Sequence, residues 1–209
     1  IEGMNEVKVA LSDKREFDAD IILRDPKTDL AVLRLRGVHG LPVIELGNSD
    51  AIEVGDLVLA IGNPFGFDHT VTKGIISAKN RKWPPEDPKF DDILQTDAAI
   101  NPGNSGGALV NMNGELIGIN TAIFSRTGGS EGVGFAIPSS IAVDIVDSLQ
   151  RTGKVIRGWM GVAIQEVTPA LAKSFKLTDE RKGVLISDVN EVGPSHAAGI
   201  KRGDVVVTF

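Results

Sequence analysis

The most chemically specific run in the chain is Gly103-Asn104-Ser105-Gly106-Gly107. A serine flanked by glycines sits on bare backbone, so another chain can come close to its hydroxyl. The N–H groups of Gly103 and Ser105 can converge on one point, where they would hold the oxyanion that forms when a carbonyl is attacked. This points to nucleophilic attack by Ser105. A glycine-rich turn with a capping serine explains the same residues equally well on its own. The strand-like run from Ala108 to Asn111 shifts the balance, because it fastens the turn to a sheet.

Other constellations carry less. The chain has no cysteine, which removes disulfides, thiolate metal sites and cysteine nucleophiles together. His39, His69 and His196 are scattered and read as surface or loop residues, so no metal cluster and no cofactor is expected. Asp29, at the head of an apolar run, reads alone as a solvated turn residue. Asp91, Asp92 and Asp97 suggest the paired carboxylates of glycoside hydrolysis, but nothing gives them complementary environments and solvation fits better. Gly62-Asn63-Pro64-Phe65-Gly66 lacks the lysine and following helix of a phosphate loop and reads as a turn.

The elements that would position Ser105 are short β-branched runs separated by turns. Val7, Val9 and Leu11 alternate with polar or small residues, and Phe17, Ala19 and Ile21 repeat the pattern. Further runs are Leu30 to Leu35, Leu57 to Ile61, Thr70 to Ala78, Ile93 to Thr96, Ala108 to Asn111, Glu115 to Thr121 and Val133 to Ile137. Asn113-Gly114 is placed as a hairpin turn. One helix is predicted after Pro138, capped by Ser139 or Ser140 and ended by Gly153, with Ile141, Ile145 and Leu149 on one face. Irregular loops are expected at 80–92 and 125–132. A boundary near Gly158 divides the chain into 1–157 and 158–209, the second piece holding a short helix around Ala170 to Phe175.

The chain has 209 residues, 42% hydrophobic and 24% charged, which excludes wholesale disorder. A net charge of −6 without Lys/Arg runs gives no footprint for nucleic acid. No apolar run approaches the ~18 residues of a membrane-spanning helix.

Five motifs agree in order along the chain: Thr28-Asp29-Leu30-Ala31-Val32, Val58-Leu59-Ala60-Ile61-Gly62-Asn63-Pro64, Gln95-Thr96-Asp97-Ala98, Gly103–Gly107 and Gly132-Val133-Gly134-Phe135-Ala136-Ile137-Pro138. Together they resemble the HtrA (Deg) family of serine proteases. The resemblance implies an all-β, chymotrypsin-like double β-barrel over 1–157, followed by the N-terminal part of an α+β PDZ domain over 158–209. It implies that Ser105 is the nucleophile, that Asp29 orients a catalytic histidine, and that Gly103, Asn104 and Ser105 form the oxyanion hole. The family pattern His-Val-Ile-Glu-Gly overlaps the opening Ile1-Glu2-Gly3. The histidine is thus expected just before Ile1, and the sequence as given is expected to be inactive and to leave its first barrel open.

By the same resemblance Ile100, Ile123 and Val133 line the pocket for the residue before the cut, where three aliphatics imply cleavage after small or branched apolar residues. Arg81 matches an activation-sensing arginine at the base of a loop that here carries Trp83 and three prolines. Trp159-Met160-Gly161-Val162 matches a PDZ carboxylate-binding loop, and the strand after it would pair with a bound peptide. The implied protein is an ATP-independent endopeptidase of the periplasm or cell envelope, active in stress response and quality control. Its expected partners are unfolded proteins and peptide C-termini, with assembly as a homotrimer. The alternative is a non-cutting, chaperone-like binding protein; intact Ser105 and Asp29 favour the protease.

Overall fold

The computed structural model describes residues 3–4, 6–64, 69–84, 90–175, 177 and 183–208, with Phe90 and Asp91 described by their backbone. The chain forms two compact units, Ile1–Val155 and Ile156–Phe209.

The first unit is almost entirely β. It opens with an antiparallel three-stranded sheet of β1 (Val7–Ala10), β2 (Glu16–Asp25) and β3 (Leu30–Leu35), in that order, which does not close on itself. A closed barrel follows, built from β4 (Leu57–Gly62), β5 (Thr70–Trp83), β6 (Phe90–Thr96), β7 (Ala108–Asn111), β8 (Leu116–Ile123) and β9 (Gly134–Pro138) in the order β4-β5-β6-β9-β8-β7. Alternation puts one face of each strand inside: Val58 and Ala60 on β4 are fully buried while Leu57 is exposed. With Ile76, Leu94, Leu109, Ile117 and Ala136 they form the barrel core.

The sequence places most of these strands but stops β5 at Ala78. In the structure β5 runs to Trp83 and β6 starts at Phe90, so the loop expected at 80–92 is shorter; its residues 85–89 lie outside the described residues. Three register shifts between Ile76 and Trp83 explain the difference, since each bulge breaks the alternation by which a strand is recognised.

Helix α1 (Ser139–Thr152) follows β9 and ends at Gly153, whose φ of 73° lets its N–H return to Leu149 O. Its start differs from the expected serine cap. Ser139 Oγ donates to Gly47 O at 2.8 Å, and the Ser140 N–H is taken by Ser49 Oγ at 3.1 Å. A serine 91 residues upstream thus caps the helix and pins it to the barrel's entry segment.

The second unit contains β10 (Val162–Glu166), α2 (Pro169–Ser174), β11 (Val184–Val189), α3 (Pro194–Ala197) and β12 (Val205–Val206). Its sheet has the order β10-β11-β12, so β10 is an edge strand. Val167, Ala172 and Leu185 form its small core. Among the described residues no helix is long and apolar enough to cross a membrane.

Candidate active site

Ser105 lies on the turn between β6 and β7, and its side chain is exposed. The turn is locked by backbone bonds: Asn104 N–H to Asn101 O and Gly107 N–H to Asn104 O, each at 2.9 Å. Gly106 N–H reaches Asn120 O on β8 at 2.8 Å. Two glycines are required by geometry. Gly106 has a φ of 85°, and a Cβ on Gly107 would lie 2.1 Å from Ile61 O. The neighbouring amides being spent, the N–H groups of Gly103 and Ser105 donate to no backbone acceptor among the described residues. They remain available to a developing oxyanion. The Asn104 amide does not, because it holds the turn; the side chain of Asn104 is instead buried beneath Ser105, with Nδ2 3.5 Å from Ala99 O.

Ser105 Oγ donates to Thr121 O at 3.0 Å, and Thr121 Oγ1 donates to Asp29 Oδ2 at 2.7 Å. One residue of β8 therefore joins the serine of the barrel turn to the carboxylate of the open sheet, 92 residues away. It does so because β8 is bulged there: Asn120 pairs with Ala136 and Ala122 with Phe135, leaving Thr121 between them without a partner on β9. An unpaired bulge residue is free to aim its carbonyl one way and its hydroxyl another. Sequence reasoning missed Thr121. Its signal was the polar pair Asn120-Thr121 inside the otherwise apolar run of β8.

Asp29 closes the hairpin between β2 and β3 with a φ of 57°. Glycine adopts this left-handed conformation most readily, and asparagine and aspartate tolerate it in turns.

Ile100 and Ile123 meet around Gly134. Ile123 pairs with Gly134 across β8 and β9, and a Cβ on Gly134 would lie 2.9 Å from Ile100 Cδ1. Ile100 is 1% exposed and belongs to the barrel core, while Ile123 packs against that core from the surface. Val133, half-buried, accepts the Phe124 N–H at 3.0 Å. The loop 125–132 is organised by Glu131, whose carboxylate accepts the amides of Arg126 and Thr127 at 2.8 and 3.2 Å. These bonds, the Arg126 amide first, hold Glu131 below the usual glutamate range. The same loop reaches the nucleophile turn through Ser130 N–H to Asn101 Oδ1 at 2.9 Å.

Arg81 lies within β5, paired with Ile93, and among the described residues it makes no hydrogen bond to the nucleophile turn. Its near neighbour Trp83 does approach the pocket walls. The indole stacks on Phe135 at 4.8 Å and meets Phe124 edge-on at 5.6 Å, so it touches the residues that follow Gly134 and Ile123. His39, His69 and His196 are exposed, and among the described residues of the first unit neither His39 nor His69 is hydrogen-bonded to Ser105 or Asp29. No three His, Asp or Glu side chains among the described residues are grouped as metal ligands.

In the second unit Trp159 and Met160 are exposed, at 61% and 44%. Gly161, with a φ of 73°, turns the chain into β10. Met160 O and Gly161 O accept the Ser195 and Asn190 amides at 3.1 and 2.8 Å, which ties residues 160–161 to α3 and to the turn before it. A cavity of about 210 Å³ opens beside them, lined by Trp159, Gly161, Val162, Ala163, Asp188 and Asn190.

Residues 2–119 match the sequence pattern of the trypsin-like peptidase domain. A relative from Pseudomonas putida (strain W619), called a probable periplasmic serine endoprotease DegP-like, is 51% identical over 205 residues, covering 98% of this chain and 42% of its own length. One of the same description from Pseudomonas savastanoi pv. phaseolicola is 51% identical over 208 residues, covering 100% of this chain and 43% of its own. The chain thus spans less than half the length of these curated relatives. Among solved structures, the HtrA-type protease AlgW with tripeptide superposes with a TM-score of 0.85 at 51% identity, over 99% of this chain and 68% of that one. The same protease with decapeptide gives 0.78 at 50%, over 99% and 63%.

Proposed function

Because the chain belongs to the trypsin-like peptidase domain family, we propose that it carries the nucleophile and the orienting carboxylate of an ATP-independent serine endopeptidase of the HtrA type. The observation that carries this reading is the bonded path Ser105–Thr121–Asp29, which joins an exposed serine to a directed carboxylate across two sheets.

In the proposed reaction Ser105 Oγ bonds to the scissile carbonyl carbon, and its proton passes to an imidazole lying between Ser105 and Asp29. The resemblance assigns that imidazole to the histidine of the His-Val-Ile-Glu-Gly pattern. The carbonyl π electrons move onto oxygen, where the amides of Gly103 and Ser105 receive the charge. Collapse breaks the C–N bond, the leaving amine takes the proton from imidazolium, and water then releases the acyl group by the same steps. In the structure Ser105 Oγ donates to Thr121 O at 3.0 Å. Attack requires the hydroxyl to donate to the base instead, giving up a bond worth about 1 kcal/mol.

The aliphatic wall of Ile100, Ile123 and Val133 favours small or branched apolar residues before the cut. Such residues are buried in folded proteins, so unfolded or misfolded proteins are the substrates and quality control under stress the role. The relatives' descriptions support a periplasmic location. Arg81 is proposed as the activation sensor. Residues 158–209 are proposed as the N-terminal part of a PDZ domain, with Trp159–Val162 receiving a peptide C-terminus and the free edge of β10 pairing with the peptide. The full-length protein is proposed to be a homotrimer.

The test is a fluorophosphonate probe on the full-length protein, read by intact mass and peptide mapping. A single adduct on Ser105, absent in Ser105→Ala, is expected. No adduct, even with an activating peptide present, would refute the protease reading in favour of a binding protein.

A further inference from the structure

The reading above leaves one buried ionisable group unused. Asp25 is 5% exposed, and among the described residues it is the only charged side chain so deeply buried. It closes β2, opposite Leu30 on β3, so that Pro26-Lys27-Thr28-Asp29 is the hairpin loop. A surface hairpin does not need a buried carboxylate; glycine or asparagine in the loop would turn the chain at lower cost.

The bonds of this carboxylate show what it is for. Thr28 Oγ1 donates to Asp25 Oδ2 at 2.6 Å, and Thr28 N–H donates to Asp25 O at 3.2 Å. Both the backbone and the side chain of Thr28 are therefore tied to one residue. The next residue is Asp29, in the left-handed region at a φ of 57°, with Oδ2 on Thr121 Oγ1 at 2.7 Å. Releasing Thr28 would let the loop relax and turn the Asp29 carboxylate away from Thr121.

We propose that Asp25 and Thr28 are positioning residues that hold Asp29 in its left-handed conformation and so aim its carboxylate at Thr121 and the catalytic base. The inference rests on the protease reading for its catalytic consequence, but the positioning itself is a property of the hairpin.

Thr28→Val keeps the shape and removes the donor, and Thr28→Ser restores it. Asp25→Asn is the more drastic change and is a second variant only. In the full-length protein, Thr28→Val is expected to lower kcat about a hundredfold with KM unchanged, as for a misdirected catalytic group, and Thr28→Ser is expected to recover it. Separately, the Asp29 carboxyl-carbon resonance, followed by NMR with labelled aspartate, should move in Thr28→Val as its bond to Thr121 Oγ1 is lost, and return to the wild-type position in Thr28→Ser. A Thr28→Val protein whose Asp29 carboxyl resonance superimposes on wild type overturns the proposal, as does equal loss in the valine and serine variants. If wild-type protein hydrolyses nothing, the protease reading fails while the NMR comparison still decides the positioning claim.

Discussion

Ser105 and Asp29, the proposed nucleophile and its orienting carboxylate, are held by different means. Ser105 rides on a closed six-stranded barrel whose interior residues Val58, Ala60, Ile76, Leu109, Ile117 and Ala136 are fully buried. Asp29 rides on a three-stranded sheet that does not close, where Ala19 is the only hydrophobic side chain counted as buried and Val9, Ile21, Leu33 and Leu35 are half-buried. In the barrel, packing fixes position: close-packed side chains leave the turn at 101–107 no slack. At the sheet's hairpin, hydrogen bonds made by the side chains of Thr28 and Thr121 do the fixing. Ser105 is placed by the backbone bonds of its turn within the barrel, whereas the Asp29 carboxylate is placed by named side-chain bonds.

The sharpest way to test this division is to remove each group and read activity and stability together. In the full-length protein Ser105→Ala should lower kcat by about 10⁶-fold with only a small fall in melting temperature, since the hydroxyl is exposed and makes a single hydrogen bond, to Thr121 O. Asp29→Asn should lower turnover by about 10⁴-fold, again with little loss of melting temperature, because asparagine also tolerates the left-handed conformation. A clear fall in melting temperature for Asp29→Asn would show that the carboxylate serves folding rather than function, breaking the comparison.

The two scaffolds can then be compared directly by denaturant unfolding. Ile76→Ala in the barrel should cost about 2–5 kcal/mol. Leu33→Ala in the open sheet, half-buried at the start, should cost about 1–2 kcal/mol. Equal costs would mean that the sheet is packed as well as the barrel. The smallest effect is expected at Glu131. A carboxylate held below its ordinary value contributes fully above that value and loses its contribution as pH falls through the lowered one. The Arg126 and Thr127 amide resonances should therefore titrate with a midpoint below the ordinary glutamate value of 4.5. Movement starting near neutral pH would contradict the geometry.

What the sequence disclosed follows the same division. The barrel strands are legible because burial on one face enforces alternation, as with Val58 and Ala60 on β4. The Ser105 turn is legible because its geometry demands glycine at the two positions after the serine, at Gly106 by its φ and at Gly107 by its distance to Ile61 O. Asp29 is legible only within a motif, since its conformation depends on a hairpin that alternation does not reveal. Thr121 and the far half of β5 were lost to β-bulges, where the period of two that marks a strand fails. Ser49 was lost because a cap supplied from 91 residues away leaves no local trace.

The placement of Trp83 has an optical consequence. The chain contains two tryptophans and no tyrosine, so its near-ultraviolet emission arises from those two indoles. They fall in different units: Trp83 stacked between the rings beside the pocket, Trp159 open to solvent. The first should emit at shorter wavelength than the second, and phenylalanine adds almost nothing to either band. Each unit therefore carries its own colour, and a change beside Ile123 can be told from a change beside Gly161 in a single spectrum, with no label attached.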